Sequence, residues 1–415
     1  MVMRSARRFH RIRGGASPAV IGLAFVSALI GVAPGAQAGT AAVRRTAIEV
    51  TVPPAASAVP GQYIVTLKPG ALSSGVMAPS GVRPLYIYER VINGFTARMT
   101  LAQLNEMRTH PDVAAIEQDA VARAVDVPRG FAGPITRVPP AAPTTSWGLD
   151  RIDQRRLPLN RVYNAAHTGA GVTAYIVDSG IDKTNSQFTG RIAPGYSTVD
   201  DGNGTNDCLG HGTMTAGIVG GTTWGVARSV KLSPVRVLGC DGFGTFSQII
   251  AGFDWVAAHA VKPAVANMSL GGPKSAAANA AATALADSGV FVSVAAGNSA
   301  DDACDFSPAG ASRVLTVGAS AGDDTLSGFS NVGPCVDLFA PGTDVVSARM
   351  GGGSAQGSGT SFASPYVAGV GALFKQTYGD YPTATVLKWI NDASTSGVLK
   401  GLHGANDRLL YTAGL

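Results

Sequence analysis

From Trp147 to the C terminus, short apolar runs alternate with stretches of helical character. Val172-Thr173-Ala174-Tyr175-Ile176-Val177 has no alternating polar face and reads as a strand buried on both sides. Further strands are expected at 230–237, 264–268, 290–294 and 314–317, with helices at 211–219, 246–260 and 276–287. Such alternation over about 270 residues predicts an α/β domain, a doubly wound, mostly parallel sheet with helices on both faces. Such sheets gather their chemistry at the carboxyl ends of the strands.

The N-terminal third reads differently. Residues 1–146 hold 15 Lys/Arg against 7 Asp/Glu, whereas 147–415 hold 17 against 20, all Asp. The basic surplus of the whole chain, +5, is therefore confined to the first third and gives no sign of a nucleic-acid or membrane partner for the large domain. Arg4, Arg7, Arg8, Arg11 and Arg13 precede an apolar stretch, 19–32, and then Ala36-Gln37-Ala38, which predicts a cleaved signal peptide over 1–38 and a secreted protein. Residues 39–57 read as a linker. Residues 58–124 hold strands at 62–67, 91–99 and 113–117 and a helix capped by Thr100, a small α+β module. Residues 125–146, rich in proline, read as a second linker, and 147–415 as the large domain. Cys208, Cys240, Cys304 and Cys335 predict two disulfides in a secreted chain, with three pairings open.

Three segments carry chemistry. Asp178-Ser179-Gly180 closes the first strand, Gly210-His211-Gly212-Thr213 opens a helix, and Gly359-Thr360-Ser361-Phe362-Ala363-Ser364 opens another. A serine hydroxyl needs a base with a pKa near the working pH, which favours histidine. The imidazole needs a carboxylate to fix its tautomer and stabilise its charged form. Asp178, His211 and Ser361 supply one of each, and a helix N-terminus at Ser361 favours a developing oxyanion.

On these three motifs, in this order and spacing, the chain resembles the subtilisin-like serine peptidases (subtilases), in their proteinase K and aqualysin branch. The resemblance spans Trp147 to nearly Leu415, and the 58–124 module is similar to that family's inhibitory propeptide. It implies a subtilisin-like fold and a secreted endopeptidase made as an autoprocessed zymogen, cut somewhere between Ala122 and Ala142. Asn298 would be the oxyanion-hole amide. Gly242-Phe243-Gly244 and Ser269-Leu270-Gly271-Gly272 would flank an extended substrate, Ala295, Ala296 and Gly297 would wall the primary pocket, and Phe246 a more distant hydrophobic subsite. A broad, hydrophobic or aromatic preference follows. The same resemblance selects the pairings Cys208–Cys240 and Cys304–Cys335.

Calcium is the cofactor the resemblance implies, with no organic cofactor. Asp337 with the carbonyls of Ser312 and Val314 form one candidate site, and Asp150, Asp153 and Gln154 a second, in which Asn160 and Val162 replace two of the family's ligands. Asp200, Asp201 and Asp207 make a third acidic loop. The expected partners are protein and peptide substrates and the chain's own propeptide, the mature enzyme being a monomer. A catalytically inactive binding protein is the alternative. Phe362 stands where the family commonly has methionine.

Overall fold

The computed structural model describes residues 47–125, the backbone of 136–138, 146–402 and 404–415. The signal-peptide assignment, residues 39–46 of the first linker, most of the second linker and His403 lie outside them.

In chain order the N-terminal module comprises β1 (Val50–Thr51), β2 (Ala58–Leu67), α1 (Ser73–Ser80), β3 (Pro84–Tyr88), β4 (Gly94–Arg98), α2 (Leu101–Thr109) and β5 (Val113–Ala124). Thr100 caps α2 reciprocally with Gln103, as its position before Leu101, Leu104 and Met107 predicts. The helices cover one face of a sheet ordered β5-β2-β4-β3, around Val65, Phe95, Leu104, Met107 and Ile116. The module starts earlier than residue 58. β1 pairs with Ile116 and Glu117, Ile48 packs on the core, and Arg108 Nε donates to Ile48 O at 2.8 Å.

The large domain follows with β6 (Thr136–Val138), α3 (Trp147–Ile152), β7 (Thr173–Asp178), β8 (Tyr196–Ser197), α4 (His211–Gly220), β9 (Lys231–Arg236), β10 (Phe243–Thr245), α5 (Phe246–His259), β11 (Ala264–Met268), β12 (Leu270–Pro273) and α6 (Ala276–Asp287). It continues with β13 (Phe291–Ala295), β14 (Phe306–Ser307), β15 (Leu315–Ser320), β16 (Leu338–Pro341), β17 (Val345–Ala348), β18 (Ser354–Gly357), α7 (Thr360–Tyr378) and α8 (Thr383–Ala393). Seven strands form a parallel sheet in the order β16-β15-β13-β11-β7-β9-β8. Side chains alternate across it. Ala174 and Ile176 join α4 and α7 in one core, whereas Tyr175 and Val177 join α5 and α6 in another. Both faces are thus apolar, which is why the strands read as unbroken hydrophobic runs.

β5 belongs to both parts. Its first residues pair with β2, and its last ones insert between β10 and β12 of the large domain. Among the described residues no helix is long and apolar enough to cross a membrane.

Candidate active site

Asp178 ends β7, fully buried, and Oδ1 accepts from Ser179 N and contacts His211 Nδ1, both at 2.7 Å. His211 is the first residue of α4. That helix approaches β7 closely because of Gly212, where a Cβ would lie 2.1 Å from Gly180 O. The approach is pinned by Asp207, whose carboxylate accepts from Ser179 Oγ, Leu209 N and Gly210 N on one oxygen and from Thr213 N and Oγ1 on the other.

Ser361 lies in the first turn of α7. Its Oγ donates to Val125 O at 2.6 Å and its carbonyl accepts from Ser269 Oγ at 2.7 Å. Asn298 is oriented by two donors on its amide oxygen, Thr360 N at 2.9 Å and Thr360 Oγ1 at 2.8 Å. With that oxygen engaged, Nδ2 points at Val125 O, 2.8 Å away. One carbonyl of this chain therefore sits against both the serine hydroxyl and the amide expected to bind an oxyanion.

The residues before Val125 lie in an extended strand. Val121, Ala122 and Arg123 pair with Thr245, Gly244 and Phe243, and Arg123 and Ala124 pair with Gly271 and Leu270 on the other side. Ala124 N donates to Gly242 O at 3.0 Å and Val125 N to Ser269 O at 3.3 Å. Main-chain bonds on both edges hold a peptide irrespective of its side chains. Beside Val125 a cavity of about 400 Å³ is lined by Gly271, Ala295, Ala296, Gly297, Phe306 and Ala309. Phe246 is buried and meets Ala122 across Gly272, where a Cβ would touch both.

The sequence pattern of the subtilase family matches residues 169–409, and that of peptidase inhibitor I9 matches residues 62–124. The chain belongs to the subtilase family. The extracellular serine proteinase of Thermus sp. (strain Rt41A) is 44% identical over 358 residues, covering 80% of this chain and 83% of that protein. Alkaline serine exoprotease A of Vibrio alginolyticus is 44% identical over 326 residues, covering 79% of this chain, which spans 60% of the Vibrio protein's length. The crystal structure of a cold-adapted subtilisin-like serine proteinase superposes with a TM-score of 0.63 at 47% identity, covering 64% of this chain and 97% of that one. This subtilase is a serine endopeptidase carrying an inhibitor-type prodomain.

Cys208 is bonded to Cys240 and Cys304 to Cys335 in the structure. The candidate calcium residues divide by chemistry. Asp150 Oδ1 and Asp153 Oδ1 are buried without a hydrogen-bond partner, while their other oxygens accept from Arg161 N and Asn164 N at 2.7 Å. Two buried orphan carboxylate oxygens, on residues near enough for Asp150 to act on the Asp153 carboxyl, fit a hard cation. Gln154 does not join them, since its Oε1 accepts from Asn160 N and its Nε2 donates to Pro158 O. Asp337, Ser312 and Val314 line one cleft of about 560 Å³. Burial pushes the Asp337 carboxyl up to about 6, against the pull of the Thr316 amide and of Arg408, so the site also fits a cation. The third acidic loop does not, because its charge is already answered. Asp201 pairs with the fully buried Arg236, whose hydrogen bonds hold the Asp201 carboxyl far below its usual range, and both oxygens of Asp207 are used.

Sequence reading missed Asn331. Fully buried, it donates to Ala296 O at 3.0 Å and accepts from Ser299 N and Asp301 N, which shapes the loop that carries Asn298. Gly297 adopts φ +109°, and a Cβ there would lie 2.3 Å from Asn331 Nδ2. Phe306 and Ala309 in the cavity beside Val125 were also unseen, because nothing in their local sequence marks them.

Proposed function

We propose that this subtilase is a secreted zymogen that cuts itself between Val125 and Asp126 and thereafter hydrolyses other proteins. His211 takes the proton from Ser361, Asp178 holds the imidazole, and Ser361 attacks to form an acyl-enzyme. Asn298 Nδ2 and the Ser361 N–H receive the oxyanion. The observation that carries this reading is the Val125 carbonyl, 2.8 Å from Asn298 Nδ2 and 2.6 Å from Ser361 Oγ, at the end of a strand paired on both edges. The prodomain ends at Val125, and the mature chain begins at Asp126. The open apolar pocket beside Val125 supports broad cleavage after hydrophobic or aromatic residues, and Phe246 supports a small apolar residue three positions earlier, at the place of Ala122. Calcium at Asp150 and Asp153, and at Asp337, would cross-link surface loops and take no part in the chemistry.

N-terminal sequencing and intact mass of the secreted protein test the cut, the expected first residue being Asp126. A serine-directed fluorophosphonate tests the enzyme against the inactive alternative, since the alternative predicts no labelling of Ser361.

A further inference from the structure

The catalytic carboxylate has a second oxygen, and the sequence gives it a partner. Thr215 lies one helical turn after His211 on α4 and so shares its face. Gly212 lets that face pack directly on the end of β7, since a Cβ there would lie 3.2 Å from Asp178 Cβ. Thr215 is fully buried, with Oγ1 3.2 Å from Asp178 Oδ2 and 3.1 Å from Gly212 O. The hydroxyl has one proton for two acceptors, and the ionised one makes the stronger bond. Valine has the same shape as threonine, so packing alone does not call for a hydroxyl.

We propose that Thr215 is a positioning residue for this reaction, donating to Asp178 Oδ2 so that the carboxylate cannot rotate and Oδ1 stays on His211 Nδ1. By sharing the charge of Asp178 it also weakens the pull of that carboxylate on the imidazolium proton. The charged groups nearby are Arg236 on β9, whose Nε donates to Ser179 O and which is paired with Asp201, and Asp207, which holds Ser179 Oγ. Asp182, on the turn after β7, accepts from Gly351 N. Met214 on α4 and Phe362 on α7 are buried and apolar, the Phe362 ring centroid lying 5.7 Å from that of His211.

The inference rests on the Asp178–His211–Ser361 reading, and the test separates the two. Mature wild type, Thr215→Val and Thr215→Ser are compared by pH profiles of kcat/KM. The valine variant should move the acid limb upward by about 0.5 unit and lower kcat by about 3- to 30-fold with KM unchanged. The serine variant, which keeps the hydroxyl, should stay near wild type. An unmoved acid limb with kcat within about twofold would place the proton on Gly212 O and overturn the proposal, as would a serine variant impaired as much as the valine one. Should the valine protein not fold, Thr215→Ala with the same pH readout takes its place. Fluorophosphonate labelling of wild-type Ser361 reports on the triad alone. Its absence sinks the triad, whereas labelling with an unmoved limb sinks only Thr215.

Discussion

At the scale of single residues, the proposed mechanism divides the site into groups that do chemistry and groups that aim them. Asp178, His211 and Ser361 were legible because each sits in a short glycine-flanked motif at the end of a strand or the start of a helix. Asn331 and Thr215 were not, because the roles proposed for them rest on contacts between segments far apart in sequence. Ser361→Ala should leave full-length precursor in a host without other proteases, and processed protein from such a host would refute self-cutting. Asn298→Ala should lower kcat by about 10²–10³ at little change in KM, a magnitude known from subtilisin itself. Asn331→Ala, which touches no substrate, should also act mainly on kcat, since it unfastens the loop holding Asn298. Parallel losses in kcat and in folded yield would show instead a general structural role.

Elements, not residues, hold the prodomain in place. Glu117 on β5 accepts from Ala277 N and Ser275 Oγ, both at 2.8 Å, and so caps α6. Asp119 accepts from Ser247 N at the start of α5. In return Asp254 on α5 accepts from three successive backbone N–H groups, those of Glu89, Arg90 and Val91, at 2.7–3.0 Å. Each partner thus supplies anions to unsatisfied donors of the other. Asp254→Ala, or Glu117→Ala, should hasten release of the cut prodomain by about 5- to 100-fold, read as a shorter lag before activity appears. An unchanged lag would remove these contacts from the account. The strands of the parallel sheet were legible because burial on both faces leaves a continuous apolar run. β14, of two residues, was not legible as a strand, and β10 and β12 were reached only through the family resemblance, because all three exist only as edges paired with other chain segments. The early start of the module, at β1, was hidden in a stretch whose composition resembles a linker.

For the whole molecule, the cut proposed after Val125 would carry the basic surplus away with the removed pieces. From Asp126 onward there are 19 Lys/Arg against 21 Asp, so an enzyme beginning there would be slightly acidic. Its stability should depend on calcium and on pH together. Asp337 has a carboxyl raised to about 6 from an ordinary value near 3.8, so the folded state holds that proton more tightly than the unfolded chain. In metal-free enzyme this contribution is present below about pH 4 and lost as pH rises through about 6. The Tm of chelator-treated protein should therefore fall across that window, Asp337→Asn should flatten the fall, and added calcium should reverse it. A wild-type Tm that ignores both pH and calcium would dismiss the site. The cavity of about 400 Å³ beside Val125 bears on how such a zymogen wakes. Valine leaves that space open, so a substrate with a larger side chain should compete well with the chain's own segment. Latency is then a timer and not a lock. On that reading the first molecules to shed their prodomain should digest the prodomains of the rest, and activation should accelerate with concentration. Val125→Phe should slow the clock, lengthening the lag at equal enzyme concentration.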